Sequence, residues 1–121
     1  MLPEAPGPVA RQLAAYNARD LAAFAACYTD DVILEDVEQG VFARSRKELE
    51  ARYGKLFHEH PENKASVTSR SVLLPWVFEE EVVERDKVSA DGARTPTRWR
   101  VFVVYKLAGE LVARATFYRG S

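Results

Sequence analysis

The sequence predicts an α+β domain in which three helices lie on a strongly curved, mixed but mostly antiparallel sheet, a cone enclosing a pocket. Three observations carry that expectation. Apolar residues recur at helical spacing as far as Phe57, and after Pro61 the period changes to two and stays there. The pairs Asp91–Gly92 and Ala108–Gly109 stand where consecutive long strands need tight turns. Strands of such length in a small protein must twist and curl, because flat sheets are disfavoured, and helices packed across the concave face would close the cone.

The elements follow in order. Residues 1–8, with three prolines and a glycine, read as a flexible lead-in to one domain over 9–121, and Pro8 suits a first helical turn. Val9, Leu13 and Tyr16 define a first helix. Leu21, Phe24, Ala25 and Tyr28 define a second in a slightly different phase, with Asp20 as its cap. Val32–Leu34 and Gly40–Phe42 read as a short hairpin. Ser45 and Glu48 form a capping box ahead of a third helix carrying Leu49, Tyr53, Leu56 and Phe57, which Pro61 ends. Strands are then expected over 64–74, 76–87, 97–107 and 111–119.

Composition narrows the function. With 47% hydrophobic and 29% charged residues the chain reads as an ordinary globular domain. Lys plus Arg is 17 against 18 for Asp plus Glu, so the basic excess of a nucleic-acid binder is missing. A single cysteine, Cys27, excludes an intrachain disulfide and a thiolate cluster. No stretch approaches membrane-spanning length and no leader is evident, which makes a cytoplasmic location the expectation. His58 and His60 are two apart, a spacing at which helical side chains diverge, and no third ligand has diagnostic spacing; no metal is expected. Gly-rich phosphate loops and nucleophile-elbow motifs are likewise missing, so no cofactor is expected.

The run Tyr16-Asn17-Ala18-Arg19-Asp20-Leu21, then Tyr28-Thr29-Asp30-Asp31-Val32, the Gly40 turn, the 49–57 helix and the closing aromatics Tyr105 and Phe117-Tyr118 together resemble the NTF2-like superfamily. Within it, the SnoaL-like polyketide-cyclase and ketosteroid-isomerase-like branch is most similar. The resemblance spans about Val9 to Tyr118 and implies the cystatin-like cone. It leaves the chemistry open, because that superfamily holds isomerases, cyclases, dehydratases, hydrolases and non-enzymatic domains.

Site expectations follow from the resemblance. Asp36 falls where the isomerase branch keeps its catalytic aspartate, and a nonpolar cavity would raise its basicity; the alternative is a solvated turn carboxylate beside Glu35 and Glu38. The isomerase's first-helix tyrosine matches Gln12, and its second oxyanion donor matches Val101, which cannot donate. A true steroid isomerase is therefore not expected. Tyr16, one turn after Gln12, either offers its hydroxyl to the pocket or packs in the core. If Val101 faces the cavity, alternation brings Trp99, Val103 and Tyr105 with it, and the same matching turns Arg114, Thr116 and Tyr118 inward. Arg114 would then pair with Asp36 or bind an acidic ligand, while a register slip of one would turn it to solvent. Phe57 and Trp76 complete the expected ligand contacts, Trp76 and Phe78 having a subunit contact as their alternative to the pocket wall. Glu79-Glu80-Glu81 reads as an exposed stretch, Glu80 being a minor acid candidate.

Three functions stay open. One is a cofactor-free isomerase, cyclase or dehydratase of a small hydrophobic carbonyl compound, with Asp36 as base and Tyr16 and Gln12 orienting the oxygen. Another is a binding module for a hydrophobic or weakly acidic molecule. The third is an assembly domain. Phe102, Val104 and Val72 make the outer sheet face apolar enough to expect a homodimer.

Overall fold

The computed structural model describes residues 1–120. Helix α1 (Gly7–Ala18) is alanine-rich and takes Pro8 in its first turn, where the missing N–H has no partner to lose. It stops at Arg19, whose φ of 54° is left-handed. Asp20 restarts the chain as the cap of α2 (Leu21–Ala25), its carboxylate accepting from Ala23 N at 3.1 Å. The second helix is shorter than its periodicity suggests. Cys27 O already accepts from Val112 N at 2.8 Å, which draws Tyr28 into a strand. Helix α3 (Arg46–Glu59) carries the expected capping box, Ser45 Oγ accepting from Glu48 N and Glu48 Oε1 from Arg44 N.

The strands are β1 (Tyr28–Asp36), β2 (Gly40–Ala43), β3 (Lys64–Leu73), β4 (Trp76–Val88), β5 (Arg94–Ala108) and β6 (Leu111–Arg119). They form one sheet in the order β2-β1-β6-β5-β4-β3, antiparallel except for the β1–β6 pair. This corrects the expected cone. The sheet is open, with β2 and β3 as unpaired edges, and the helices lie along one face instead of plugging a strongly curled barrel. Bulges break the regular ladder between Val67 and Ser69 and between Lys106 and Leu107, where they shift the register of β3 and β6.

The core sits between the sheet and the helices. Val9, Phe24, Leu34, Leu49, Val77, Val103 and Val112 are all at most 2% exposed there. An aromatic cluster of Tyr16, Phe24, Tyr28, Tyr53 and Phe57 joins the three helices to β1. Asn17 ties α1 to the sheet edge, donating to Ala65 O at 2.9 Å and accepting from Ala65 N at 2.8 Å. That double bond occupies backbone groups of edge strand β3.

Candidate functional site

Strand alternation decides which side chains meet beneath the helices. Val77, Glu79, Glu81, Val83 and Arg85 of β4 stand opposite Tyr105, Val103, Val101, Trp99 and Thr97 of β5. Across β5, Tyr105, Val103 and Val101 stand opposite Ala115, Phe117 and Arg119 of β6. These residues share the helix-covered face. Between that face and α1–α3 lies a cavity of about 950 Å³, lined among others by Gln12, Tyr16, Asp36, Glu81, Arg85, Trp99, Val101, Tyr105, Phe117 and Arg119. Its size suits a small molecule.

One chain of buried polar groups crosses the inner wall. Tyr28 donates its hydroxyl to Gln12 Oε1 at 3.0 Å, and Gln12 Nε2 donates to Tyr105 Oη at 3.2 Å. Tyr105 in turn donates to Glu81 Oε2 at 3.1 Å. Beside Glu81, the fully buried Glu79 accepts from Arg70 Nε at 2.6 Å. Arg70 reaches this face because the bulge after Val67 adds a residue to β3 and sets Arg70 opposite Glu79. Its Nη1 also donates to Pro3 O at 2.8 Å.

Burial governs the protonation of this group. Desolvation, a hydrogen bond to Glu79 and the charge of Glu79 push the Glu81 carboxyl up to about 8; Tyr105 and Arg70 pull it down less. A proton on Glu81 also gives Glu79 Oε1, otherwise without a partner, something to accept. Burial raises the Tyr28 and Tyr105 hydroxyls well above their ordinary value, so both stay donors.

The mouth is cationic. Arg85 and Arg119 stack on one indole, Trp99, with guanidinium carbons 5.1 and 4.5 Å from the ring centroid. Arg85 Nε donates to Asn63 Oδ1 at 2.8 Å and its Nη2 to Tyr16 Oη at 3.3 Å. Asp36 stands at the rim, where its Oδ1 accepts from Glu38 N at 2.9 Å and Gln39 N at 3.0 Å. That is an Asx turn holding the β1–β2 hairpin. His60, on the cavity wall, hydrogen-bonds Glu62 at 3.0 Å, whereas His58 is exposed.

Several expected ligand contacts lie elsewhere. Arg114, Thr116 and Tyr118 occupy the outer face, opposite Lys106, Val104 and Phe102. The turn itself explains the slip. Ala108 pairs Leu111 and Leu107 pairs Val112, a register that would continue by placing Arg114 opposite Tyr105. The extra residue Ala113 shifts every later pair by one and turns those three side chains outward. Arg114 pairs with Glu35 at 2.7 Å on that side, not with Asp36. Trp76 is also on the outer face, with Lys106 opposite it and over its ring. Phe57 and Val103 are buried in the core and do not line the cavity.

Sequence reasoning missed Glu81, Glu79, Arg85 and Arg119. Three acids in a row look exposed, although a strand must turn at least one of them to the other face. The available signal was Val77 and Val83, which bracket Glu79 and Glu81 in the same phase of two. Burial also raises the Cys27 thiol, with Arg11 opposing it, in keeping with a structural cysteine.

An open antiparallel-rich sheet backed by three helices over a mixed polar and apolar cavity defines a small-molecule pocket fold. The chain belongs to the SnoaL-like domain family, whose model matches residues 9–115. Among solved structures, it is similar to a cystatin-fold protein of Novosphingobium aromaticivorans, with 22% identity, a TM-score of 0.82, and coverage of 94% of this chain and 98% of that one. A protein of ketosteroid-isomerase-like fold from Catenulispora acidiphila, crystallised with trimethylamine, gives 17%, 0.81, 95% and 86% in the same order. An LEH-like epoxide hydrolase of M. tuberculosis gives 13%, 0.79, 93% and 80%. No curated protein matches the chain. Among the described residues no helix is long and apolar enough to cross a membrane.

Proposed function

We propose that this chain is an acid–base enzyme for a small hydrophobic carbonyl or epoxide compound, with Glu81 as the group that gives and recovers the proton. The observation that carries this reading is the Glu81 carboxyl itself, 6% exposed yet on the cavity wall and hydrogen-bonded to Tyr105. In the free chain the Glu81 proton is directed at Glu79; a ligand oxygen on which negative charge develops competes for that donation, and a desolvated site makes it more effective. Gln12 and Tyr28 fix the direction of the Tyr105 hydroxyl. Isomerisation, cyclisation and dehydration of a ketone all begin this way, as does opening of an epoxide, the activity named for one of the similar structures.

A second reading keeps Asp36 as the base, and its place on the cavity rim supports that. Against it, the oxygen Oδ1 is engaged by two backbone N–H groups of the hairpin. The two readings separate in a turnover assay over enones, aryl ketones and epoxides, with deuterium exchange at the ketone α-carbon as a further readout. Glu81→Gln is expected to lower turnover roughly hundredfold or more, with Asp36→Asn keeping most of it. The reverse pattern transfers the role to Asp36, and a panel bound but never converted makes the chain a binding module.

The same reading includes a homodimer through the outer face. Phe78, Phe102 and Tyr118 form one aromatic run there, with Phe102 and Tyr118 each 41% exposed. Sedimentation velocity is expected to show a dimer, and a monomer at high concentration removes this part of the proposal.

A further inference from the structure

The cavity has two chemically different ends. At the inner end stand Glu81 and Tyr105; at the mouth stand Arg85 and Arg119, packed on Trp99. We propose that Arg85 and Arg119 form a cationic clamp for a carboxylate, so that the ligand is an aromatic or alicyclic keto acid, its ketone oxygen at Glu81 and its acid group at the guanidiniums around Trp99. This deepens the proton-transfer reading above and rests on it for the orientation of the ketone.

The argument is one of charge and anchoring. Two guanidiniums on one indole repel each other, and among the described residues neither forms an ion pair. Arg70, Arg94, Arg100 and Arg114, by contrast, each have a carboxylate within 4 Å. The acids on the cavity wall do not neutralise the pair. Asp36, Glu48, Glu59 and Glu81 line the cavity, and none of them has a carboxylate oxygen within 4 Å of a guanidinium nitrogen of Arg85 or Arg119. Arg85 is held in place by the fully buried Asn63 and by Tyr16, both neutral, so its position is set without consuming its charge. A planar guanidinium fixed in this way matches a carboxylate in a two-pronged hydrogen bond.

The spacing sets the ligand's size. Glu81, Val83 and Arg85 follow one another on the same face of β4, and four residues of strand span roughly 13 Å. A ketone and a carboxylate at opposite ends of two fused rings, each with one hydrogen bond to the protein, cover about that span. Trp99 and Val83, between the ends, give the rings an apolar and aromatic surface.

The test uses an acetyl-naphthoic acid and its methyl ester, with binding followed by calorimetry in the wild-type chain and in Arg85→Gln, Arg119→Gln and Glu81→Gln. Arg119 is exposed, so its variant keeps the fold even where Arg85→Gln weakens it. The acid is expected to bind about tenfold more tightly than the ester, and each arginine variant to reduce that preference while leaving ester affinity unchanged. Equal affinity for acid and ester, or an equal loss of both in the arginine variants, overturns the clamp. Acid preference retained in Glu81→Gln together with unaltered turnover in that variant defeats the proton-transfer reading and leaves the clamp standing. Failure of both probes to bind defeats the two together.

Discussion

Glu80 and Glu81 are consecutive residues of one strand, and their carboxyls answer to opposite forces. On the outer face Arg100 grips Glu80 with two hydrogen bonds of 2.9 and 3.0 Å, and that pairing lowers its pKa. On the helix-covered face, desolvation and the neighbouring Glu79 raise Glu81 to about 8. One step of phase separates the two in the sequence: Glu81 shares the alternation of Val77 and Val83, and Glu80 does not. The pleat sends them to different solvents: the Arg100 pairing favours the charged form of Glu80 in water, whereas burial beside Glu79 favours the neutral form of Glu81. The inner face thus holds few polar groups at high energetic stakes, and the outer face holds many at low ones.

The sharpest way to break this contrast is Arg70→Met. Removing that guanidinium leaves Glu79, which is fully buried, without its charge partner. The expected loss is about 3 to 5 kcal/mol in urea unfolding. Restoring most of it by adding Glu79→Gln would confirm that the isolated charge, and not lost packing, is the cause. Next is Gln12→Leu, which cuts the link between Tyr28 and Tyr105 and is expected to cost about 1 to 3 kcal/mol.

The pH dependence of stability probes the same contrast without a substitution. Glu81 is protonated in the folded chain up to about pH 8, whereas an unfolded glutamate ionises above its ordinary 4.5. Folding therefore takes up a proton between those values. Stability falls as pH rises through that window and levels off above it, with a slope of up to one proton. Glu81→Gln is expected to flatten the slope, and an unchanged slope would show that Glu81 ionises normally. The smallest effect is expected on the outer face. Glu35→Ala breaks a half-exposed pair with Arg114 and should cost less than about 1 kcal/mol, diminishing further at high salt.

Much of the architecture was legible. The order of helices and strands, the Asp20 and Ser45 caps and the glycine turns depend on local propensity and on neighbours a few residues away, and all occur as expected. The inward set on β5 was legible as well, because Trp99, Val101, Val103 and Tyr105 keep an unbroken alternation. The inward set on β6 was not. One extra residue, Ala113, displaces Arg114, Thr116 and Tyr118 to the other side, and bulges carry no strong signature in a single sequence. The expected closed cone fails for a different reason: strand length bears on twist, whereas closure needs the edge strands β2 and β3 to meet, and they stand at opposite ends of the sheet.

The linear chain by itself therefore determined the elements, their sequence and the amphipathic faces that force helices onto one side of a sheet. Only the tertiary structure decided the charges of the site. Whether a glutamate is an acid or a carboxylate, and whether an arginine meets a ligand or a neighbouring strand, depends on register and on what covers each face. Those are set by contacts tens of residues apart, between Gln12 and Tyr105, Arg85 and Tyr16, or Arg114 and Glu35, where local periodicity has no reach.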